Sequence, residues 1–399
     1  MGRTAIFLVM AMSSLMLIFG GQMNSVSSDA MDNCIQYYEN SVRYNMAVTG
    51  ANLACHQFFM DDSWRDGYTN LPFGDGTINV SLYDSASGKV TITSVGTYEG
   101  SSHTITVLLS PSKFLKFAMY ADNVSCAAKL RTNDTIYGTI HFNNKLMTQG
   151  EPVFTEKATM GSIQMTSGTP QFLGGYQTGV NIPFPNYDPY VTQIKTAATS
   201  GGYYQNGGEL WLQFQSNGKV KYKKSAGAAW SGDTVLSSNG KICINDGALH
   251  VEGTLEGNFT VASLTTSGVT PSSTVGATYL ENNVRYATNP QVNPASTDML
   301  GIISAGDITI QQIPIYLDGS FFTNQNTTLK TGLANTNPAK PIHMFGTFIT
   351  RDINSTDFGT GMAKGANYVM RYDGRIENIP PQYFPYPKTG GFEILSWLE

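Results

Sequence analysis

The chain has 399 residues, only 13% of them charged, and a net charge of −5. It carries neither the Lys/Arg blocks of a nucleic-acid binder nor the basic amphipathic helix of a headgroup-binding protein. Its four cysteines, Cys34, Cys55, Cys126 and Cys243, form no CxxC or CxxCH, so the signatures of thioredoxin-like chemistry, a zinc knuckle and c-type haem are missing. The length allows a sizeable core in one large or two medium domains. Abundant Gly (41), Tyr (21) and Phe (20) suit an extracellular β-protein with neutral polar surfaces.

Residues 1–71 contain no proline, and residues 4–21 (TAIFLVMAMSSLMLIFGG) are almost wholly apolar. As a helix this run spans roughly 27 Å, enough to cross a bilayer core. Arg3 in front of it fits a cytoplasm-facing start. Ala5, Leu8, Met12, Leu15 and Ile18 are the candidate assembly residues of this helix. Gly20 and Gly21 each weaken a helix by about 1 kcal/mol, which predicts a flexible joint there. Ser28-Asp29-Ala30 has the small-x-small form of a secretory cleavage site, yet helical patterning continues through it. Ile35, Tyr38, Val42, Met46, Thr49 and Leu53 recur at three- and four-residue steps, while Asn45, Gly50 and Ala54 leave small or polar surface for a neighbour. One helix over 1–62 is therefore expected, serving as a membrane anchor or as a bundling element of a filament. Cys34 and Cys55 would lie about 31 Å apart on it and cannot pair. Cys55 and Cys126 are a candidate disulfide, with free buried thiols as the alternative.

Past Trp64 the pattern becomes β. Phe73-Gly74-Asp75-Gly76 is a turn signal, followed by alternation at Ile78, Val80 and Leu82, then Val90 and Ile92, then Ile105 and Val107. This predicts antiparallel hairpins packed on the helix over 63–130, with a short helix within 111–130. From Thr132, short β-runs are punctuated by Gly and Asn, a texture that returns at 241–264 and 300–322. Turns at intervals of about 7–12 residues predict stacked rungs of a parallel β-helix or solenoid over 131–399; a β-sandwich is the alternative. An inserted region at about 175–240 is expected to hold a Pro/Gly-rich crossing, a helix at 190–199 and a hairpin turning at Asn217-Gly218. The proline-rich tail should lie extended along the head, with Trp397 as its anchor. The fold class is α+β: one long N-terminal α-helix and a mostly-β head.

Catalytic patterns are sparse. His56, His103, His141, His250 and His343 are scattered, and there is no HExxH, GxSxG or GxxxxGK[ST]. Gly359-Thr360-Gly361 with Gly365 has the wrong spacing for a nucleotide loop. Asp298, Asp307 and Asp318 fall on successive expected rungs, where a row of carboxylates would suit sugar cleavage; the alternative is that they cap turns. Asp61, Asp62 and Asp66 lack diagnostic calcium spacing. Tyr203, Tyr204, Trp211, Tyr222 and Trp230 are candidates for stacking on sugars or on another subunit. Six N-x-S/T triplets, at Asn79, Asn123, Asn133, Asn258, Asn326 and Asn354, are glycosylation candidates. No catalytic residue, cofactor or metal ligand is assigned.

The N-terminal segment, including YNMAVTGANLACHQFF (44–59), resembles the helix of type IV pilins and their pseudopilin-like relatives. The stretches GKVTITSVGTYEGSSHTITVLL (88–109), DTIYGTIHFNNKLMTQGEPVF (134–154), DMLGIISAGDITI (298–310) and the tail from 371 resemble large pilus-assembly-type proteins with β-repeats after such a helix. The resemblance implies a structural, non-enzymatic filament subunit, built through its apolar helix and carrying its β-head outside. Its partners would be copies of itself in a helical polymer, the inner-membrane pilus assembly machinery beforehand, and surface glycans. It would reside in the inner membrane before assembly and in an extracellular filament after. One departure stands out: the glutamate that pilins carry five positions into the mature chain, where it pairs with a neighbour's terminal amine, is replaced by Ala5 or, if cleavage follows Gly2, by Phe7. A minor pilin of a filament tip or secretion system, and a membrane-anchored β-helix protein that binds or cleaves polysaccharide, are the alternatives.

Overall fold

The computed structural model describes residues 2–398 other than 62, 86–88, 112–115, 125–128, 186, 354–363 and 386–391. The chain forms two units, Met1–Ser112 with Gly391–Glu399, and Lys113–Gly390. In the first, helix α1 runs Gly2–Met60 without a break, about 88 Å at 1.5 Å per residue. The joint expected at Gly20 and Gly21 is absent; both are helical, with open space beside them. A break would orphan backbone groups on either side, which outweighs about 1 kcal/mol of propensity per glycine.

Strands β1 (Tyr68–Phe73), β2 (Gly76–Asp84), β3 (Val90–Tyr98) and β4 (Ser101–Pro111) pair antiparallel in succession, as the alternation predicts. Glu99 and Gly100 both take positive φ, 48° and 72°, which matches the twist of a tight hairpin between β3 and β4. One face of the sheet buries Ile78, Val80, Val90, Ile92, Ile105, Val107 and Leu109. α1 meets it with Met46, Ala47, Gly50, Ala51, Ala54, Cys55 and Phe58, a stripe at helical spacing. Gly50 and Ala54, expected to leave surface for a neighbour, thus lie on this face with Met46, while Ile35, Tyr38 and Leu53 of the larger-residue stripe are exposed. The sheet supplies the branched side chains, so the helix offers small ones and its backbone comes close. A Cβ at Gly50 would stand 2.4 Å from Ile78 Cγ2, and one at Gly96 2.5 Å from the Arg43 carbonyl oxygen.

The C-terminal strand, Phe392–Leu398, pairs antiparallel with β4. The proline-rich segment before it lies along the solenoid, as expected: Thr260 donates its hydroxyl to the Gln382 carbonyl at 2.8 Å, and Phe384 is buried beside Phe322; the final strand then ends in the first unit. Trp397 and Phe392 pack against the first unit's core, and the Phe392 ring meets Phe58 edge-on at 4.5 Å. Pro111 and Phe392 are register partners. The second unit is therefore an insertion between two paired residues.

The second unit is a parallel solenoid, as the Gly/Asn-punctuated texture predicts, but it begins at Lys113 and not at 131. Within the 111–130 stretch expected to hold a short helix, residues 119–124 form a strand, while 112–115 and 125–128 lie outside the described residues; the apolar residues Met119, Tyr120 and Ala121 alternate between two buried layers. From one end, the coils stack in the order Tyr203–Phe214, Lys241–Leu255, Asn258–Leu264 with Thr278–Tyr286, Met299–Ser304, Ile315–Leu329, and Lys340–Ile353 with Ala366–Arg371. Next comes the start of the unit, Met119–Val124 with Thr135–Tyr137, then Ile140–Gln149, Ala158–Met165 and Tyr176–Gln177. The strand Tyr203–Phe214, expected within an inserted region, is itself the terminal coil; only its hairpin partner Val220–Lys223 decorates it, turning at Asn217-Gly218.

Aligned register builds the interior. Ile242, Val261, Ile302, Phe321, Phe348, Met119, Ile140 and Ala158 form one column through the core. The neighbouring column, Cys243, Ala262, Ile303, Phe322, Ile349 and Tyr120, points the other way, yet it is also buried. It is covered by helix α2 (Asp188–Thr199) and by the segment before it. That segment runs from one end of the solenoid to the other. Val180 N–H donates to the Met160 carbonyl, Ile182 is held by Asn143, Phe184 packs near Tyr120 and Phe322, and Ile194 and Ala198 sit with Cys243 and Ala262.

The coil that begins the unit docks on the coil that ends it, with Phe348 opposite Met119 and Val369 opposite Thr135. Arg131 crosses this seam and donates to the carbonyls of Lys364 (2.8 Å) and Ala366 (2.5 Å). Asp134 accepts from the N–H of Tyr368 (2.7 Å) and of Arg131 (2.5 Å). Burial pushes its carboxyl up to about 7, against the pull of those donors and of the Arg131 charge.

Two outcomes follow. Replacing residues 113–390 by a short Gly/Asn turn should leave a cooperatively melting α1 and five-stranded sheet, read by circular dichroism; a non-cooperative product would show that the insertion is needed. Second, the folded protein holds the Asp134 proton between roughly pH 4 and 7, where the unfolded chain has lost it, so this stabilisation is full below about pH 4 and fades as pH rises through 7. Denaturant unfolding should show stability falling by a few kcal/mol across that range, at order of magnitude, with a flatter slope in Asp134→Asn.

Candidate functional site

The largest chemical feature of the first unit is what α1 leaves uncovered. Ala5, Leu8, Met12, Leu15 and Ile18 are all exposed, as are Phe7, Met16, Leu17 and Phe19 on the other sides of the helix. Leu8 is 65% and Leu17 77% accessible. The only polar groups between Ala5 and Phe19 are two serines; Ser14 donates its hydroxyl back to the Met10 carbonyl at 2.9 Å, so it demands no water. The helix is long and apolar enough to cross a membrane by length and composition. Covering one such side chain is worth about 1.5–3 kcal/mol, and a patch of this size on a monomer marks an interaction surface. No carboxylate occurs before Asp29, so the apolar surface carries no internal ion pair to set its register. From Gln22 onward the helix carries polar residues, and an Arg43–Glu39 ion pair lies just before the sheet contact.

The residues singled out for chemistry prove to be held by their surroundings. Asp298 accepts from the N–H groups of Gly257 and Thr288, both at 2.8 Å. Asp307 accepts from Asn326 N–H at 3.0 Å. Asp318 accepts from Tyr286 N–H at 3.0 Å and faces Arg285 at 3.6 Å, while burial raises its pKa. These three carboxylates tie coil to coil. Trp211 is sandwiched between cross-strand neighbours on opposite sides: His250 stacks on it at 3.7 Å, and the Lys223 ammonium lies 4.5 Å from its ring. Tyr279 extends the stack beyond His250 at 4.7 Å. Lys223 also covers Trp230, and Tyr203 packs on Tyr222. These ring faces are occupied within the fold. Among the described residues no group of three metal-ligating side chains exists; Asp61 binds Ser63 instead, and Asp62 lies outside the described residues, as do Asn354 and residues 359–361.

Sequence reasoning missed one polar cluster. Asn143 accepts from Ile182 N–H at 2.7 Å and donates to the Ile182 carbonyl at 2.6 Å, pairing the crossing segment as a strand neighbour would. His141 bridges Asn143 and Thr159, at 2.7 and 2.8 Å, and burial lowers its pKa, so it is neutral. Only the N-N pair at 143–144, unremarkable in an Asn-rich chain, signals this lock.

Cys55 is a free buried thiol, and Cys126, its candidate partner, lies outside the described residues. Cys34 is exposed on α1. Burial pushes the Cys243 thiol up to about 12 and raises that of Cys55.

No protein-family model and no curated protein matches the chain. Among solved structures, that of the competence-associated pilin ComZ from Thermus thermophilus is similar, with a TM-score of 0.38 and 11% identity over 90% of this chain and 97% of that one.

The thiols give a direct check on the placement of α1. In detergent-solubilised protein, maleimide should modify Cys34 rapidly and leave Cys55 and Cys243 untouched until denaturant is added. Rapid labelling of Cys55 would contradict the packing of α1 on the sheet.

Proposed function

We propose that the chain is a structural subunit of a type IV pilus-like filament. The observation that supports this most directly is the asymmetry of α1: its last turns are fixed in a β-core, while residues 5–19 near its start are apolar but for two serines and are uncovered. A segment so built needs lipid or other apolar helices around it. In the membrane, where it would reside before assembly, lipid covers it; in an extracellular polymer, copies of α1 cover one another. The assembly machinery would act on this segment as it passes from one environment to the other. The β-structure remains outside and carries whatever contacts surface glycans make.

The minor-pilin variant draws on a specific feature. With no carboxylate before Asp29, the charged pair that registers neighbouring pilins is not available on this helix, so apolar contacts alone would set its position. A subunit added at a tip needs such registration less than one repeated along a shaft.

Placing a charge in the uncovered stretch tests the reading. Leu8→Glu or Met12→Glu should abolish filaments in material sheared from cells, because an unpaired charge in an apolar helix bundle costs several kcal/mol. The melting of the β-structure should not change. In assembled wild-type filaments, Cys34 should lose its reactivity towards maleimide. Normal filaments from both variants, or filaments that lack residues 1–30 by mass spectrometry, would overturn it.

A further inference from the structure

The second unit contains a groove of about 610 Å³ that the filament reading does not use. Its floor follows the solenoid axis across the seam: Phe345, Arg371 and Tyr137 are successive register partners on three neighbouring coils. The Arg371 guanidinium lies 4.2 Å from the centre of the Tyr137 ring. The buried Pro290 and the exposed Pro294 and Glu156 also line the groove. The groove is held in shape. Arg375 grips Asp373 at 2.7 Å and donates to the carbonyls of Ser296 (2.7 Å) and Asp298 (3.1 Å), clamping the turn after Arg371 to the loop that bears the prolines.

Three properties of the groove narrow its ligand. Its volume falls within the roughly 300–1,000 Å³ of small-molecule sites. Arg371 and Glu156 are exposed and, among the described residues, neither forms an ion pair. A guanidinium and a carboxylate that face the same space both hydrogen-bond strongly to vicinal hydroxyls. Arg371 covers one side of the Tyr137 ring, yet Tyr137 keeps 37% of its surface open, and with the exposed Pro294 this offers apolar area for C–H faces. The opposite charges balance, which disfavours an acidic ligand. We propose that this groove binds a neutral oligosaccharide, its hydroxyls shared between Arg371 and Glu156 and its C–H faces against the open part of Tyr137 and Pro294. The assignment stands apart from the filament reading, since a glycan site serves an anchored monomer equally well. Its ligand contacts come from residues more than 200 positions apart, so the site forms only when the seam is closed.

The test uses full-length protein in a sugar-free detergent, titrated by calorimetry and saturation-transfer NMR with cellotetraose, maltotetraose, mannotetraose and chitotetraose, and separately with tetragalacturonate. At least one neutral probe should bind with millimolar affinity or tighter. Tyr137→Ala and Arg371→Ala should each weaken it by about tenfold or more, while Trp211→Ala leaves it unchanged. Glu156→Gln, at an exposed position, should weaken binding as well and serves if either other variant misfolds. Absence of saturable binding by every neutral probe, binding undiminished in the folded variants, or binding of tetragalacturonate alone would each overturn the assignment.

Discussion

Water solvates residues 5–19 of α1 poorly, and that single fact constrains the rest of the first unit. An apolar helix left free would collapse onto any greasy surface available. Here it is continued directly into a second half whose apolar face is narrow and already matched to a sheet. The match depends on small residues: Gly50 leaves room for Ile78 and the Ser94 hydroxyl, and Gly96 leaves room for the helix backbone at Arg43 and Ala47. A tight contact of this kind fixes the helix direction at one end. With no proline and no break at Gly20 and Gly21, that direction persists through Phe7. The uncovered surface is therefore carried on one unbroken helix.

The second unit answers a different constraint. Parallel strands need both faces covered, and a solenoid covers only the inner one by coiling. The outer column from Cys243 to Tyr120 is nonetheless apolar, so a lengthwise cover is needed. Residues 178–199 supply it, and Asn143 fastens them by mimicking a strand edge. Having crossed the full length, the chain restarts at Tyr203 and coils back toward its own beginning. The seam between Phe348 and Met119 is the consequence, and the Arg131–Asp134 contacts across it take the place of the short turn that joins sequential coils.

Much of this was legible in the sequence, and the failures have physical causes. A helix without proline, hairpins from strict alternation, and rungs from Gly- and Asn-punctuated β-runs all rest on local periodicity, and all are present. On α1, Gly50 and Ala54 were legible as small surface left for a neighbour and do meet the sheet, but Ala47 and Ala51, which complete that face, were not noticed. Small residues carry little hydrophobic signal individually but permit the closest approach. The coil order was beyond reach, since the pairing of residue 348 with 119 leaves no local trace. For the same reason Arg371 and Tyr137, which meet across the seam, could not be recognised as neighbours, while Trp211 and Trp230 attracted notice although their faces are filled.

The point of insertion bears on how force would pass through such a subunit. The second unit leaves the first after Pro111 and returns before Phe392, and these two residues face each other in the same ladder. A pull on the second unit therefore loads β4 and the C-terminal strand in the same direction and does not slide one past the other. It draws on the five-stranded sheet as a whole, and through Ile78, Val90 and Ile105 on the small-residue face of α1. Had the second unit simply followed β4 to the chain's end, β4 alone would take that pull. The returning strand, anchored by Trp397 and by Phe392 against Phe58, converts a single attachment into a double one. The second unit is thereby joined to the first through two paired strands rather than one.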